Sequence, residues 1–239
     1  MKKFWNKEYK RFTQPGGEPT YLALSTEPAE DLEKFTRWLE RSASLRNGRS
    51  ILNPLTKVLD LGCGNGRNLI YLAKNFGCHG VGYDNSSEAI KQAKGVAETR
   101  TILNFEIRSI REPILLPDNS INLVLDMMTS HILRAEERQK FRQEIIRVLK
   151  TGGWLLFKTF LLEDDDHAKR LLREHPAGEP NSYIHPKFKV FEHVWTIFEI
   201  KEFFSPNFEV HKIEKSRKHR SHGRAFRRRT VTVYLQKRD

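Results

Sequence analysis

The stretch Lys57-Val-Leu-Asp-Leu-Gly-Cys-Gly-Asn-Gly-Arg-Asn68 decides the fold of this chain. A short β-type run containing Asp60 comes first, and glycines follow at every second position, at Gly62, Gly64 and Gly66. An apolar pattern with helical spacing begins directly after them. A strand, a glycine turn and a helix in this order bring bare backbone close to a small ligand at the carboxyl end of a strand.

The spacing of these glycines and the nearby acids indicate which ligand is bound. Dinucleotide sites use G-x-G-x-x-G, whereas this turn reads G-x-G-x-G, and Asp60 stands two residues before Gly62. A carboxylate there repels a diphosphate and attracts an ammonium or sulfonium group. Asp84 ends the predicted strand 79–83, eighteen residues past Gly66, where an acid suits the hydroxyls of a ribose. A cationic nucleoside with an amino-acid tail, S-adenosylmethionine, fits this pattern.

Four blocks of the sequence resemble the class I S-adenosylmethionine-dependent methyltransferases. Val58–Asn68 and Val81–Ser86 are similar to the first two motifs of that family. Leu115–Leu125 is similar to the loop after its third strand together with its fourth strand, and Glu144–Gly153 to the turn into its fifth strand. The blocks occur in the family's order and cover roughly residues 57–160. The alternative reading is a Rossmann-like domain that binds another nucleotide.

The fold class predicted from the alternation of strands and helices is α/β. Strands are expected near 57–61, 79–83, 103–108, 121–126 and 153–160, and helices near 66–76, 86–98 and 136–149. This alternation predicts parallel strands joined by right-handed crossovers. Residues 208–215 and 230–237 alternate apolar and polar side chains, which predicts an antiparallel hairpin at the sheet edge. With that hairpin, the resemblance implies a Rossmann-like, doubly wound, mostly parallel sheet of seven strands with helices on both faces.

Domain boundaries are predicted from shifts in composition. Residues 1–50 are expected to form an amino-terminal arm and a helix that pack on the core. Separately, a short helix is expected near residues 196–204. Residues 51–239 are expected to form the catalytic domain. Within it, the charged segment 161–205 is expected to be a substrate-side insertion, irregular over 161–182, and 215–229 a basic hairpin loop.

Composition excludes several classes of protein. The 239 residues are 38% hydrophobic, and the mean hydropathy is −0.61. Residues 1–10 lack the apolar stretch of a signal peptide, and no apolar run approaches the length of a membrane span. The two cysteines, Cys63 and Cys78, lack the spacing of metal ligands. A cytoplasmic protein without a metal and without membrane contact is therefore expected.

The resemblance implies a set of cofactor-binding residues. Asp60 would reach the ammonium group of S-adenosylmethionine, and Asp84 would hold its ribose hydroxyls. Around them, the cofactor set is completed by Gly62, Cys63, Gly64, Gly66, Asn85, Ser109 and Ile110. Ser109 and Ile110 occupy the place where the family often has an acid facing the adenine, so that charged contact is absent. Asn122 replaces a common Asp in the fourth strand, at a position that is usually structural.

Two residues near the end of the fourth predicted strand are site candidates. Asp126 ends this strand, and strand ends in open α/β sheets face the ligand crevice. Asp126 is therefore expected at the methionine moiety or the substrate, the alternative being a helix cap or a solvated acid. His131 is the candidate catalytic base toward a hydroxyl or an amine. The alternative for His131 is a loop histidine bonded to backbone.

Four residues are candidates for contacting the substrate. Lys158 closes the fifth predicted strand, and Asn181 and Tyr183 lie in an expected turn of the insertion. Loops over such crevices commonly select the substrate, although an ordinary surface turn would explain the last two. Tyr9, with Trp5, resembles the arm that closes over the cofactor in many relatives. Packing of these aromatic side chains on the core is the alternative.

The net charge of +12 is concentrated near the end of the chain. Residues 206–239 hold 11 Lys and Arg against 3 Asp and Glu, a net charge of +8. Eight of the fifteen residues of Lys215–Arg229 are basic. This segment is predicted to track the phosphates of RNA, to bind an anionic small substrate, or to be a solvated hairpin tip. With Phe226 as its single large apolar residue, it does not resemble a membrane anchor.

The function expected from the sequence is methyl transfer from S-adenosylmethionine by direct displacement. The acceptor is expected to be a small or anionic molecule. The first alternative is an RNA methyltransferase that uses Lys215–Arg229. The second is a non-catalytic module that binds the nucleoside and uses its basic hairpin to bind a partner. The sequence does not indicate an oligomeric state.

Overall fold

The computed structural model describes residues 2–13, 24–46, 50–97, 102–216, 220–221, 224–225 and 228–239. The chain divides into two units. Met1–Glu112 and Ile121–Leu125 form the first unit, and Pro113–Ser120 and Asp126–Asp239 form the second. In the described ranges, the helices are too short or too polar to span a bilayer.

The first unit alternates strands and helices after two amino-terminal helices. Its elements are α1 (Lys2–Thr13), α2 (Glu30–Arg46), β1 (Lys57–Leu61), α3 (Arg67–Phe76), β2 (His79–Asp84), α4 (Ser87–Ala97), β3 (Leu103–Ile107) and most of β4 (Ile121–Met127). The strands β1, β2 and β3 pair in parallel, with Asp60 opposite Gly82 and Asp84 opposite Ile107. The carboxyl ends of these strands therefore lie at the same edge of the sheet.

Charge and glycine explain where two helices of this unit begin and end. The first turn of α2 carries Glu30, Asp31 and Glu33, which interact favourably with the positive amino-terminal end of a helix dipole. Helix α3 ends at Gly77, whose φ of 69° is left-handed and whose N–H donates to the Ala73 carbonyl. A glycine at this position terminates a helix without the steric penalty of a Cβ atom.

Apart from Pro113–Ser120, the second unit begins within β4, and it contains the antiparallel part of the sheet. Its further elements are a 3-10 helix (Ser130–Ile132), α5 (Ala135–Val148), β5 (Leu149–Phe160), α6 (Asp166–Glu174), β6 (Ser182–Ile184), β7 (Phe191–His193), α7 (Ile197–Phe204), β8 (Phe208–Lys215), β9 (Arg220–Ser221), β10 (Arg224–Ala225) and β11 (Thr230–Lys237). Strand β11 pairs antiparallel with both β5 and β8. Two short antiparallel pairs, β6 with β7 and β9 with β10, stand apart from the main sheet.

The main sheet has seven strands in the order β3-β2-β1-β4-β5-β11-β8. Parallel pairing on one side and the β11–β8 hairpin at the other confirm the predicted α/β, Rossmann-like class. The last two strands match the predicted segments 208–215 and 230–237. Alternation of apolar and polar residues located them, although β11 is buried on both faces from Val231 to Leu235.

The prediction of an irregular segment over 161–182 is wrong for α6. The Asp165 side chain accepts a hydrogen bond from the Ala168 N–H and caps this helix. Ala168 and Leu171 are buried beside Tyr183 and Val194. This short amphipathic helix packs through only a few apolar side chains. The charged residues around them make its pattern difficult to recognise in the sequence.

Candidate functional site

The glycine turn between β1 and α3 is shaped by backbone contacts of the first unit. Gly62, Gly64 and Gly66 have φ values of 78°, 56° and 77°, in the region that glycine adopts without strain. The Gly62 and Cys63 N–H groups both donate to the Tyr83 carbonyl, at 2.7 and 2.9 Å. The turn is therefore held against the carboxyl end of β2.

Two of these glycines are also required by their surroundings. A Cβ atom on Gly66 would lie 2.8 Å from the Phe105 ring and 3.0 Å from Ala93. A Cβ atom on Gly64 would lie 2.2 Å from the Tyr9 hydroxyl. Bare backbone at these two positions thus lets a helix, a ring and a hydroxyl pack closely against the turn.

Asp84 is fixed by two backbone hydrogen bonds at the end of β2. Its Oδ2 atom accepts from the Gly64 N–H at 3.0 Å, and its Oδ1 atom accepts from the Ser86 N–H at 2.8 Å. Desolvation raises the pKa of Asp84 above its ordinary value, and the two hydrogen bonds partly oppose that rise. The structure therefore joins the acid of the second motif directly to the glycine turn of the first.

Asp60 and Cys63 lie within the same turn region. Asp60 is 1% exposed on β1. Burial, followed by the charges of Asp60 and Asp84, raises the pKa of the Cys63 thiol well above its ordinary value. A thiol that stays protonated is a poor nucleophile, so Cys63 serves as a small residue in a tight turn.

Tyr9 places helix α1 over the glycine turn. Its side chain is buried, and its backbone carbonyl accepts a hydrogen bond from Gln92 Nε2 at 3.0 Å. Burial, then the charge of Asp84, raises the pKa of Tyr9, so its hydroxyl stays neutral. Tyr9 was predicted as a substrate contact, and the structure places it beside Gly64.

Asn6 is a residue of this region that sequence reasoning missed. Its Oδ1 atom accepts from Ser86 Oγ at 2.7 Å and from the Glu88 N–H at 3.3 Å, near the start of α4. Asn6 therefore attaches α1 to the segment that follows Asp84. Its spacing of three residues from Tyr9, on one helix face, was the available signal.

The other predicted cofactor residues of the first unit lie in loops after strands. Asn85 follows β2 and is half-buried. Ser109 Oγ accepts from the Arg111 N–H at 3.2 Å in the turn after β3, and Ile110 lies in the same turn. Asn122 Oδ1 accepts from the Lys57 N–H at 3.0 Å, which ties the start of β1 to β4. Asn122 thus makes a structural contact between strands.

This set of groups fits a cationic nucleoside. The first unit offers two carboxylates, the neutral Tyr9 hydroxyl and a bare glycine backbone at one edge of parallel strands. Arg67, the first basic residue after the turn, donates to the Glu27 carbonyl at 3.0 Å. Negative charge at the strand ends favours a ligand carrying positive charge over a diphosphate.

Asp126 occupies the end of β4 in the second unit. It is 2% exposed, and its Oδ1 atom accepts from the Ser130 N–H at 3.1 Å. Burial raises the pKa of Asp126 to about 6. Asp126 lines a small cavity of about 10 Å³, together with Ser130, Arg138, Phe141, Arg142, Ile145, Phe157, Trp195, Phe203 and Phe204.

His131 is buried in the 3-10 helix after β4. Its ring packs edge-on against Phe160, with 5.0 Å between the ring centres. The Nδ1 atom is buried and has no hydrogen-bond partner among the residues that the structure describes. Burial lowers the pKa of His131 to about 4. The imidazole is therefore neutral near pH 7, as a proton acceptor must be.

Arg228 organises a buried polar cluster in the second unit, the Arg228 cluster, formed with Asp165, Tyr183 and Glu192. The Arg228 Nε atom donates to Asp165 Oδ2 at 3.0 Å, and its Nη1 atom donates to the Tyr183 hydroxyl and, at 3.4 Å, to Glu192. Asp165 is fully buried. Burial alone raises the pKa of Asp165, but N–H donors and the Arg228 charge outweigh it and bring the pKa below its ordinary value.

The predicted substrate contacts Tyr183 and Asn181 take part in internal hydrogen bonds. Tyr183 lies on β6, is fully buried and donates to Glu192. Asn181 has a left-handed φ of 53° and donates from Nδ2 to Glu199 Oε2 at 3.3 Å. The third candidate, Lys158, is half-buried on β5 opposite Thr232.

The basic segment Lys215–Arg229 is only partly described. Seven of the fifteen residues of this predicted RNA-binding strip, 217–219, 222–223 and 226–227, lie outside the described residues. Arg228 belongs to the Arg228 cluster, and Arg229 donates from Nη1 to the Ser216 carbonyl. These two arginines are thus engaged within the protein.

Comparisons with known proteins identify the family of this chain. A family model described as a methyltransferase domain matches residues 52–207. The glycine/sarcosine/dimethylglycine N-methyltransferase of Actinopolyspora halophila is 29% identical over 156 residues, which cover 62% of this chain and 26% of that protein. The 2-methyl-6-phytyl-1,4-hydroquinone methyltransferase of Synechocystis is 27% identical over 147 residues, 61% of this chain and 45% of that protein.

The fold recurs among solved structures. A SAM-dependent methyltransferase from Methanosarcina mazei superposes with a TM-score of 0.63 at 23% identity, covering 76% of this chain and 92% of its own. At 23% identity, this similarity shows a shared fold. The chain spans between about a quarter and about half of the length of the curated relatives it matches.

Proposed function

The chain belongs to the class I S-adenosylmethionine-dependent methyltransferases, and from this premise we propose that it methylates a small-molecule acceptor. S-adenosylmethionine is its cofactor. When bound, this cofactor supplies an electrophilic methyl group on a sulfonium that is already an excellent leaving group. The protein then has to bind, orient and shield the reactants.

One observation carries the assignment of the cofactor site. The Asp84 carboxylate is held between the Gly64 and Ser86 N–H groups at 3.0 and 2.8 Å, which joins the acid at the end of β2 to the glycine turn. We assign the ribose hydroxyls to Asp84 and the amino-acid ammonium to Asp60. Gly62, Cys63, Gly64 and Gly66 would form the turn around that end of the cofactor.

The remaining residues of the set follow from their positions. Asn85 would lie beside the adenosine, and Ser109 with Ile110 would line the adenine. Tyr9, whose hydroxyl lies close to Gly64, would cover the amino-acid end and exclude water from it. Asp126 would face the methionine moiety or the acceptor.

Buried polar groups in the second unit support a small acceptor. His131 is 7% exposed and Tyr183 is fully buried. A folded RNA contacts exposed side chains, whereas a small molecule can be enclosed by buried ones. His131 is the candidate base, because its lowered pKa keeps the ring neutral.

Labelled cofactor tests this function directly. Purified protein is incubated with S-adenosylmethionine that carries a tritiated methyl group, in parallel with a small-molecule cell extract and with total RNA. Label is expected in the small-molecule fraction. Label in neither fraction, despite binding of the cofactor, favours the non-catalytic module.

An RNA acceptor is the second candidate, because eight of fifteen residues in Lys215–Arg229 are basic. Its test replaces Lys215, Arg217, Lys218 and Arg220 with Gln and leaves the internally engaged arginines unchanged. If RNA is the acceptor, filter binding weakens and its salt dependence becomes shallower in this variant. The matched control replaces the exposed Lys169, Arg170 and Arg173 of α6.

A further inference from the structure

One imidazole connects three elements of the second unit by hydrogen bonds. His193 on β7 lies opposite Ser182 on β6, and its Nδ1 atom is 2.9 Å from Ser182 Oγ. Its Nε2 atom is 2.8 Å from Glu199 Oε1 on α7. Ser182 and His193 are each 1% exposed, whereas the Glu199 side chain is 30% exposed. These three side chains are called the His193 cluster below.

The His193 cluster also holds the turn that precedes β6, residues 179–182. Asn181 Nδ2 donates to Glu199 Oε2 at 3.3 Å, and the Asn181 carbonyl accepts from the Val194 N–H at 2.8 Å. Asn181 has a left-handed φ of 53°, which costs energy for a residue with a side chain unless its surroundings fix it. The conformation of this turn therefore depends on its contacts with β7 and α7.

The number of hydrogens decides which protonation state satisfies every contact of the cluster. Ser182 Oγ lies 3.0 Å from the Pro180 carbonyl oxygen, and a hydroxyl group has a single hydrogen to donate. While Ser182 donates to Pro180, its oxygen has to accept from His193 Nδ1. The Glu199 carboxylate has to accept from His193 Nε2. Only a doubly protonated, cationic imidazole donates from both nitrogens.

A neutral His193 cannot make all of these contacts. Its one hydrogen remains on Nε2, because a lone pair there would face the Glu199 carboxylate. The bare Nδ1 atom then becomes an acceptor, so the Ser182 hydroxyl turns toward it and away from Pro180. Loss of the proton thus releases the Pro180 carbonyl and removes the attraction between opposite charges at Glu199.

We propose that the His193 cluster is a pH-dependent switch that fixes or loosens the turn 179–182. Protonated His193 fixes the turn against β7 and α7, and neutral His193 loosens it. The contribution of the cluster to stability is therefore present at low pH and is lost as the pH rises. Histidine is the side chain whose charge ordinarily changes between about pH 5 and 8. The turn carries Asn181, whose position then depends on pH.

The Glu199 carboxylate of α7 favours the charged form of His193. Burial raises the pKa of Glu199, but hydrogen bonds and positive charge, led by those of His193, outweigh burial and bring the pKa below its ordinary value. Glu199 is thus ionised throughout the range in which histidine titrates. The titrating member of the cluster is therefore the imidazole.

Charged groups of the other neighbouring elements oppose Glu199 only in part. Arg138 of α5 disfavours a charge on His193, since its guanidinium carbon lies 5.5 Å and the imidazole centre 4.9 Å from the centre of the Trp195 ring. Glu179 offsets this effect, because its carboxylate lies 4.0 Å from Arg138 Nη2. His131 of the 3-10 helix is neutral, because burial lowers its pKa to about 4.

Nitrogen NMR reads the protonation of His193 directly. Protein labelled with ¹⁵N-histidine is titrated between about pH 5 and 8, and the His193 ring is assigned by its contacts with the Trp195 ring. Both ring nitrogens are expected to carry hydrogen at the acid end, and Nδ1 is expected to lose its hydrogen as the pH rises. Glu199→Gln keeps an oxygen acceptor but removes the charge, so the transition is expected at lower pH. Glu202→Gln, at an exposed position of the same helix, is the control and is expected to leave the transition unchanged.

Hydrogen exchange at Val194 reads the turn itself, because this N–H donates to the Asn181 carbonyl. After correction for the intrinsic pH dependence of exchange, protection of Val194 is expected to fall about ten-fold from about pH 5 to about pH 8, as expected for one hydrogen bond. Ser182→Ala removes the hydroxyl that joins the imidazole to Pro180. This variant is expected to lose the pH response of Val194, although His193 still titrates.

Two results would overturn the switch. One is a His193 ring that keeps a single protonation state over the whole titration. The other is protection of Val194 that does not change with pH in the unmodified protein, or that changes equally in Ser182→Ala. Both measurements are made without a methyl acceptor, so failure of the switch is distinguishable from failure of the proposed function.

Discussion

The glycine turn of the first unit and the Arg228 cluster of the second are built by different parts of the chain. The turn, residues 60–66, is shaped by consecutive backbone groups, and its φ values come from three glycines. The Arg228 cluster consists of side chains from residues 165, 183, 192 and 228. A site built from consecutive backbone groups can be predicted from neighbouring residues of the sequence. A site built from side chains that are distant in sequence depends on the complete topology.

The largest expected effect concerns the side-chain site. Arg228→Met leaves the fully buried Asp165 without its cation, and removing one partner of a buried pair destabilises a protein by about 3–5 kcal/mol. Urea denaturation measures this loss of unfolding free energy. Arg170→Met on α6 is the control, since Arg170 is exposed. A loss for Arg228→Met no larger than that of the control would mean that the cluster does not hold this unit together.

Adding a single methyl group at Gly66 tests the geometry of the glycine turn. Gly66→Ala combines a left-handed φ of 77° with a contact of 2.8 Å to Phe105, and we expect a loss of about 2–4 kcal/mol. Gly95→Ala in α4 meets no atom within 4 Å and is expected to gain about 0.5–1 kcal/mol. Similar denaturation midpoints for the two variants would contradict the packed geometry of the turn.

Asp126 connects stability to pH. Its pKa of about 6 lies above that of an unfolded aspartate, so ionised Asp126 costs stability. The contribution of Asp126 to the free energy of unfolding is fully present below the pKa of an unfolded aspartate. This contribution is lost as the pH rises through about 6. Asp126→Asn removes the titration and should stabilise the protein by about 2–3 kcal/mol at pH 7.5. The gain should shrink toward pH 4, and a gain independent of pH would show that another group is responsible.

The smallest expected effect concerns Asn6, which attaches α1 to the segment after Asp84. Asn6→Ala removes the acceptor used by Ser86 and the Glu88 N–H, at a cost of about 1 kcal/mol. Hydrogen exchange is expected to quicken in α1 and at the start of α4, with the rest of the first unit unchanged. Lys3→Ala, at an exposed position of α1, is the control.

The strands and helices of the first unit could be predicted from local sequence patterns. The predicted strand 57–61 coincides with β1, and the predicted helix 66–76 differs from α3 by one residue. Both follow from features within a few residues, namely alternation, glycine and helical spacing. Asp84, the acid at the end of β2, could be predicted for the same reason. Its distance in sequence from the glycine turn corresponds to a single crossover from one strand to the next.

Longer-range contacts could not be read in this way. Asp165 stands within a run of four acids, and the sequence does not distinguish the residue that caps α6 and pairs with Arg228. Arg228 stands among basic residues that suggest a solvated or RNA-binding strip. Its internal role depends on where β11 begins relative to α6 and β6. Asn6 was missed because its contacts depend on the docking of α1 against α4.

Binding of S-adenosylmethionine to Asp84→Asn tests the central claim most directly. This variant keeps the size of the side chain, and its amide oxygen can still accept one backbone hydrogen bond, but the charge that would meet the ribose hydroxyls is lost. Calorimetry is expected to show clear binding to the unmodified protein and affinity weaker by about 10- to 100-fold in the variant, the worth of a charged hydrogen bond. Equal affinity for the two proteins, or stronger binding of a dinucleotide such as NAD to the unmodified protein, would contradict it.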